Sequence, residues 1–183
     1  MDTLFSDAVK ELISKSRDIA IELGYDYIST IHFYLADCEI PSSTSLLKFG
    51  FNSQTEYTKF KEHYRIKTKA EDILNYIDES LPLTKEAETT IRAAESERRF
   101  YKQTQICTSH LFIAALKTNS LLSECFKHNS NIFEMLITYY KESGALEKGK
   151  ISGEELNTLN RNDLSKDSRG VFKILSNIFK KSK

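Results

Sequence analysis

The chain has 183 residues, enough for one well-buried domain and an appendage but tight for two domains of ordinary size. Its 26 basic and 26 acidic side chains cancel to a net charge of +0, so no overall field draws it to nucleic acid or to an acidic membrane surface. The three cysteines (Cys38, Cys107, Cys125) are odd in number and contain no C-x-x-C, which fits a reducing, cytoplasmic compartment better than a disulfide framework.

The N-terminus MDTLFSDAVKEL carries acids where a secretory signal would carry lysines and an apolar run, and no segment approaches the length of a membrane span. Helical spacing begins at once. Val9, Leu12, Ile13, Ser16, Ala20 and Leu23 make one buried stripe, and Gly24 stands where a left-handed residue closes a helix, so the spacing predicts a helix over 6–23. With only two prolines, six glycines and no convincing alternation of apolar and polar residues, the whole chain reads as all-α.

An internal repeat organises the rest. STIHFYLA (29–36) lies over CTSHLFIA (107–114) at an offset of 78, which matches Thr30 with Thr108 and His32 with His110. The same offset places Phe5 and Ser6 over Leu83 and Thr84, and Ile28 over Ile106. After small deletions Phe49 and Asn52 fall over Phe126 and Asn129, and Tyr57, Phe60 and Tyr64 over Phe133, Leu136 and Tyr140. Two pseudo-symmetric four-helix repeats result, about 4–64 and 83–141, with a bridging helix about 69–77 between them. Thr30 and Thr108 are expected as helix N-caps, each hydroxyl accepting from a first-turn amide. His32 and His110 then fall in the first turn as packed, neutral rings bonded to the neighbouring loop.

The charged segment 85–103 holds Arg92, Arg98, Arg99 and Lys102 beside Phe100 and Tyr101, a combination that could serve nucleic acid. Glu86, Glu88, Glu95 and Glu97 interleave at three- and four-residue spacing, so it reads instead as a solvated face of mutual ion pairs. Cys107, His110, Cys125 and His128 have the ligand types of a zinc site. Cys107 corresponds to Ser29 and His128 falls near Gly50 in the other copy, so the fold needs neither and no metal is expected.

Gly144 to Lys150 spells G-x-x-x-x-G-K, yet Ile151 stands where the magnesium-binding Ser or Thr belongs and a helical stretch precedes it, so no nucleotide site is expected. No serine or cysteine sits in a recognisable nucleophile motif, and no catalytic residue or cofactor is assigned. Residues 142–170 are rich in Gly, Ser, Asn and charge and read as a linker. Beyond it Val171, Ile174, Leu175 and Ile178 fall at i, i+3, i+4, i+7, with Phe172 and Phe179 flanking and Lys180, Lys181 and Lys183 at the end. That pattern predicts a short amphipathic helix over 171–183, whose apolar side must cover this domain, a partner protein or, less well, an anionic membrane.

The T-x-H-apolar signature after an L-G-x3-I loop (Leu23, Gly24, Ile28, Thr30, His32), duplicated within about 150 residues, resembles the N-terminal domain of the Clp family of protein unfoldases. The resemblance covers roughly residues 4–141; the second copy lacks the glycine and has Lys102-Gln103 there. It implies a non-catalytic pair of four-helix units that receives substrate or adaptor proteins for an ATPase ring. The alternative it leaves open is a free-standing accessory or scaffold subunit that docks on a Clp protease or secretion machine through its C-terminal helix. A chain opening on Met1 and ending at Lys183 leans toward the free-standing form.

Some members hold phosphoarginine through a glutamate between the threonine and the histidine. Ile31 and Ser109 occupy those positions here and offer no carboxylate to a guanidinium, which puts that recognition in doubt. Phe5, Ile31, Leu83 and Ser109, with Val171, Phe172, Leu175 and Phe179 of the tail, are the candidate partner-binding residues.

Overall fold

The computed structural model describes residues 4–41, 51, 53–66, 81–127 and 131–145, and among them it is all-α, with seven helices. In chain order these are α1 (Asp7–Leu23), α2 (Thr30–Glu39), α3 (Gln54–His63), α4 (Lys85–Phe100), α5 (Thr108–Lys117), α6 (Leu121–Cys125) and α7 (Ile132–Glu142). The expected helix at 69–77, the linker beyond Ala145, the tail helix at 171–183, Phe49, Asn52 and Asn129 lie outside the described residues.

α1 and α4 begin and end alike because the repeat reproduces their chemistry. Ser6 caps α1 by accepting from the Val9 amide, and Thr84 caps α4 by accepting from the Ala87 amide, both at 3.3 Å. At the far end of α1 the Tyr25 amide donates to the Ala20 carbonyl and the Gly24 amide to that of Ile21, a Schellman closure with Gly24 at φ 92°. The equivalent bonds, Gln103 to Arg98 and Lys102 to Arg99, close α4, and Lys102 takes the left-handed conformation (φ 55°) without being glycine.

All six residues of the expected α1 stripe are buried, joined by Ile19. α2 is buried on every side from Thr30 to Asp37, and α5 from Ser109 to Ala115; a helix apolar all round must be surrounded. Accordingly α1 packs on α2 and α4 on α5, while the cross-repeat pairs α1 with α5 and α4 with α2 complete the same pattern. Tyr34 of α2 anchors an aromatic cluster with Phe51, Phe60 and, from the second repeat, Phe126 at 5.4 Å.

The two repeats are tied by an exchange. The Ser6 amide donates to the Ile106 carbonyl (3.0 Å) and the Ile106 amide to that of Leu4 (2.8 Å). Reciprocally, the Thr84 amide donates to the Ile28 carbonyl (2.9 Å) and the Ile28 amide to that of Pro82 (2.8 Å). The segment entering each repeat thus forms an isolated parallel bridge with the other repeat's loop, Phe5 with Ile106 and Leu83 with Ile28. Every one of these pairs maps on its counterpart by the offset of 78.

Candidate interaction surface at the helix entrances

The entrances of α2 and α5 carry the repeated T-x-H signature, and one correction to the sequence reading is needed there. The N-caps are Ser29 and Cys107, so Thr30 and Thr108 are the first residues inside the helices rather than the caps. The reason is the histidine. His32 and His110 sit at the third helical position, and their Nδ1 atoms accept from the backbone amides of Ser29 and Cys107, each at 2.9 Å. Imidazole thereby does what Glu or Gln does in a capping box. A ring that accepts at Nδ1 is neutral and carries its proton on Nε2. Burial pushes both histidines down to about 4, with the Arg98 guanidinium adding to the effect at His110. The Tyr25 ring meets that of His32 edge-on at 4.7 Å.

Thr30 has another task. Its amide and hydroxyl donate to the two oxygens of Glu86, at 2.9 and 2.8 Å, and its hydroxyl oxygen accepts from the Leu122 amide at 3.2 Å. Glu86 also receives the Thr84 hydroxyl (2.9 Å) and, more weakly, the Leu121 amide (3.3 Å). A carboxylate from the second repeat therefore sits at the N-terminus of a first-repeat helix and at the first turn of α6, where peptide dipoles favour negative charge. Ala8 is the counterpart of Glu86 under the offset of 78, so the entrance of α5 has no such lock. Sequence reasoning placed Glu86 only among surface ion pairs. The near-palindromic placement of Thr84, Glu86 and Thr30 becomes visible only once α4 lies across α2.

Three of the expected partner-facing residues are interior. Phe5 is fully buried because its backbone bridge draws it between the repeats, and Ile31 and Ser109, each 1% exposed, occupy the second position of fully surrounded helices. Leu83 is half-buried beside its bridge to Ile28. Val171, Phe172, Leu175 and Phe179 lie outside the described residues. What the surface does present, among the described residues, is a set of large apolar side chains that the repeat pattern did not single out: Ile66, Phe100, Leu121 and Met135. Leu121 opens α6 directly beside the Glu86 lock.

The other motifs resolve into structure. Arg98 and Arg99 both pair with Glu95 at 2.7 Å, ion pairs within α4 that its spacing implied, while Glu97 is reached at 2.7 Å by Lys117 of α5. Cys107 is a helix cap, and the Cys125 sulfur lies 2.8 Å from the Tyr64 hydroxyl; burial pushes both thiols up. His128 is outside the described residues, and among those described no three His, Cys, Asp or Glu side chains gather to hold a metal ion. Of the G-x-x-x-x-G-K run only Gly144 and Ala145 are described, in the turn that follows α7. No described helix is long and apolar enough to cross a membrane.

An all-α pair of exchanged, pseudo-symmetric helical repeats, presenting helix entrances and scattered apolar side chains, defines a protein-interaction module. The family model of the Clp repeat (R) N-terminal domain matches residues 4–129, and the chain belongs to that family. It is similar in fold to a chain solved in "preliminary structural investigations of a malarial protein secretion system", with a TM-score of 0.57 and 16% identity over 77% of this chain and 95% of that one. No curated protein matches its sequence.

Proposed function

We propose that this chain is a non-catalytic protein-binding module that captures substrate or adaptor proteins for a Clp-type unfoldase or protease in the cytoplasm. The family match over residues 4–129 carries this reading, because in Clp ATPases the domain is the part that receives substrates and adaptors. The surface we assign to capture is the rim of the Glu86 lock, where Leu121, 46% exposed, and half-buried Leu83 flank a carboxylate already satisfied by the fold. Apolar contact rather than charge recognition then selects the partner, in keeping with isoleucine and serine at positions 31 and 109.

The test is the binding of a chemically unfolded model protein, followed by fluorescence anisotropy. Replacing Leu121 by Asp removes an apolar anchor and should weaken binding by about tenfold or more, the scale of an interface hot spot, with the melting temperature unchanged. Binding that survives the substitution intact would remove this surface. A second reading, an accessory subunit that docks on a Clp protease or a secretion machine through residues 171–183, is favoured by the fold's likeness to a component studied in a protein secretion system. Under that reading, deletion of 165–183 abolishes co-purification with a ring, protease or secretion component and leaves the helical repeats folded.

A further inference from the structure

Among the described residues, every hydrogen bond to the Glu86 carboxylate comes from a neutral donor. Oε1 accepts from the Thr30 amide (2.9 Å) and the Thr84 hydroxyl (2.9 Å), and Oε2 from the Thr30 hydroxyl (2.8 Å) and the Leu121 amide (3.3 Å). Two donors thus meet each oxygen, and no described lysine or arginine pairs with this acid. Such a set suits an anion with two oxygens in one plane, held by directed N–H and O–H groups and not by a counter-charge.

The donors do not depend on Glu86 for their direction. The Thr30 hydroxyl oxygen also accepts from the Leu122 amide (3.2 Å), and that of Thr84 from the Ala87 amide (3.3 Å). With one lone pair of each oxygen taken by the backbone, the hydroxyl protons turn toward the carboxylate. The Thr30 amide belongs to the first turn of α2, where no intrahelical acceptor exists. Thr30 is fully buried, whereas Glu86 and Thr84 are half-buried and reach the surface. The cradle is therefore built by the backbone of α2, α4 and the segment that opens α6, and the acid is its ligand.

We infer that Thr30, Thr84 and the Leu121 amide form a carboxylate-binding site whose resident ligand is the chain's own Glu86. Glu86 is then a specificity-determining residue: it plugs the site, keeps the acidic groups of a partner out of the first entrance, and leaves selection there to the apolar Leu83 and Leu121. Ala8 stands at the counterpart position, so the plug belongs to the first entrance alone. The consequence for partner choice rests on the capture reading proposed above, whereas the site itself does not.

The experiment is chemical rescue of Glu86→Ala by formate, in the full chain labelled with 15N. A ligand of three heavy atoms binds no tighter than of order 1 mM, so the titration runs to about 100 mM. In the variant, formate should move the Thr30 and Leu121 amide resonances saturably and raise the melting temperature by about 5 °C. Sodium chloride at equal ionic strength should do neither, and the wild type, already plugged, should not respond to formate. Adding Thr30→Val to the variant should abolish the rescue. If Glu86→Ala alone shows no cooperative melt, formate should restore one. A variant whose Thr30 amide and melting curve ignore formate overturns the proposal, as does a wild type that responds equally; a stronger response to inorganic phosphate overturns the carboxylate assignment. No partner protein takes part, so this result is independent of the Leu121→Asp test of capture.

Discussion

Acid should unfold this protein through its two capping histidines before its carboxylates titrate. In the folded chain His32 and His110 must be neutral, since each accepts an amide proton at Nδ1, and burial holds both at about 4. The unfolded chain releases them to an ordinary value near 6.5, so it binds more protons than the native state once the pH falls below that. The folded values are depressed, so the histidines' stability is intact above about 6.5 and drains as the pH drops toward 4. At pH 5 each costs about 2 kcal/mol, or about 4 for the pair, from a domain whose whole stability is of order 5–15 kcal/mol.

Glu95 separates from them in pH. Burial pushes its carboxyl up, but its bonds to Arg98 and Arg99 pull it further down, so its contribution is lost only below 4.5. Urea unfolding at pH 7.5, 6 and 5 checks the assignment: the midpoint should fall by about 2 M between the extremes for a urea slope near 2 kcal/mol/M. Gln at both positions can still accept from the cap amides and has no charge to gain, so the His32→Gln, His110→Gln double variant should lose most of that decline. A double variant whose midpoint falls as steeply as the wild type's would refute the histidine mechanism.

The remaining expectations concern the repeat. Replacing Lys102 by Gly, the residue at its counterpart Gly24, should stabilise the chain by about 0.5–1 kcal/mol in thermal unfolding, because it removes a left-handed non-glycine residue; a loss of stability would mean the side chain contributes more than the strain. Thr30→Ala should cost about 2 kcal/mol and Thr108→Ala less than half of that, because only Thr30 feeds the Glu86 lock; equal losses in denaturant titrations would contradict the asymmetry. Ser6→Ala, which removes a cap alone, should cost about 1 kcal/mol, and Thr84→Ala more, because the Thr84 hydroxyl also donates to Glu86. Residues 1–66 expressed alone should lack a cooperative melting transition, since both inter-repeat bridges and the cross-packing of α2 are lost; a sharp transition by circular dichroism would show that the first repeat folds by itself.

Much of the architecture was legible because duplication writes each feature twice. The stripe of α1, the closure at Gly24 and the offset of 78 all have local or pairwise signatures in the chain, and each has its structural counterpart. The cap was displaced by one residue because threonine is the residue the two copies share at that point and is a better cap than Cys107, although Ser29 before Thr30 is by propensity the better cap of that pair. Propensity does not register a histidine at the third helical position that satisfies the cap amide from within. Burial of Ile31 and Ser109 was not legible for a similar reason. Being surrounded depends on helices that arrive from the other repeat, and a helix entrance read from sequence looks like an exposed end.

The exchange of entry segments couples the two repeats mechanically. Phe5 and Leu83 are placed by the other repeat's loop, so the entrances of α1 and α4 cannot move without disturbing α5 and α2, and the two units respond together. Within that coupled frame symmetry is broken at one point, Glu86, whose counterpart is Ala8. A carboxylate bonded to Thr30, Thr84 and the amide of Leu121 fixes the start of α6 against α2, which sets an exposed leucine on a rigid support. Preorganised apolar side chains bind with less ordering cost than mobile ones. That rigidity is the reason the asymmetric entrance, built by one acid from the second repeat, is proposed as the capture surface in preference to its pseudo-symmetric twin.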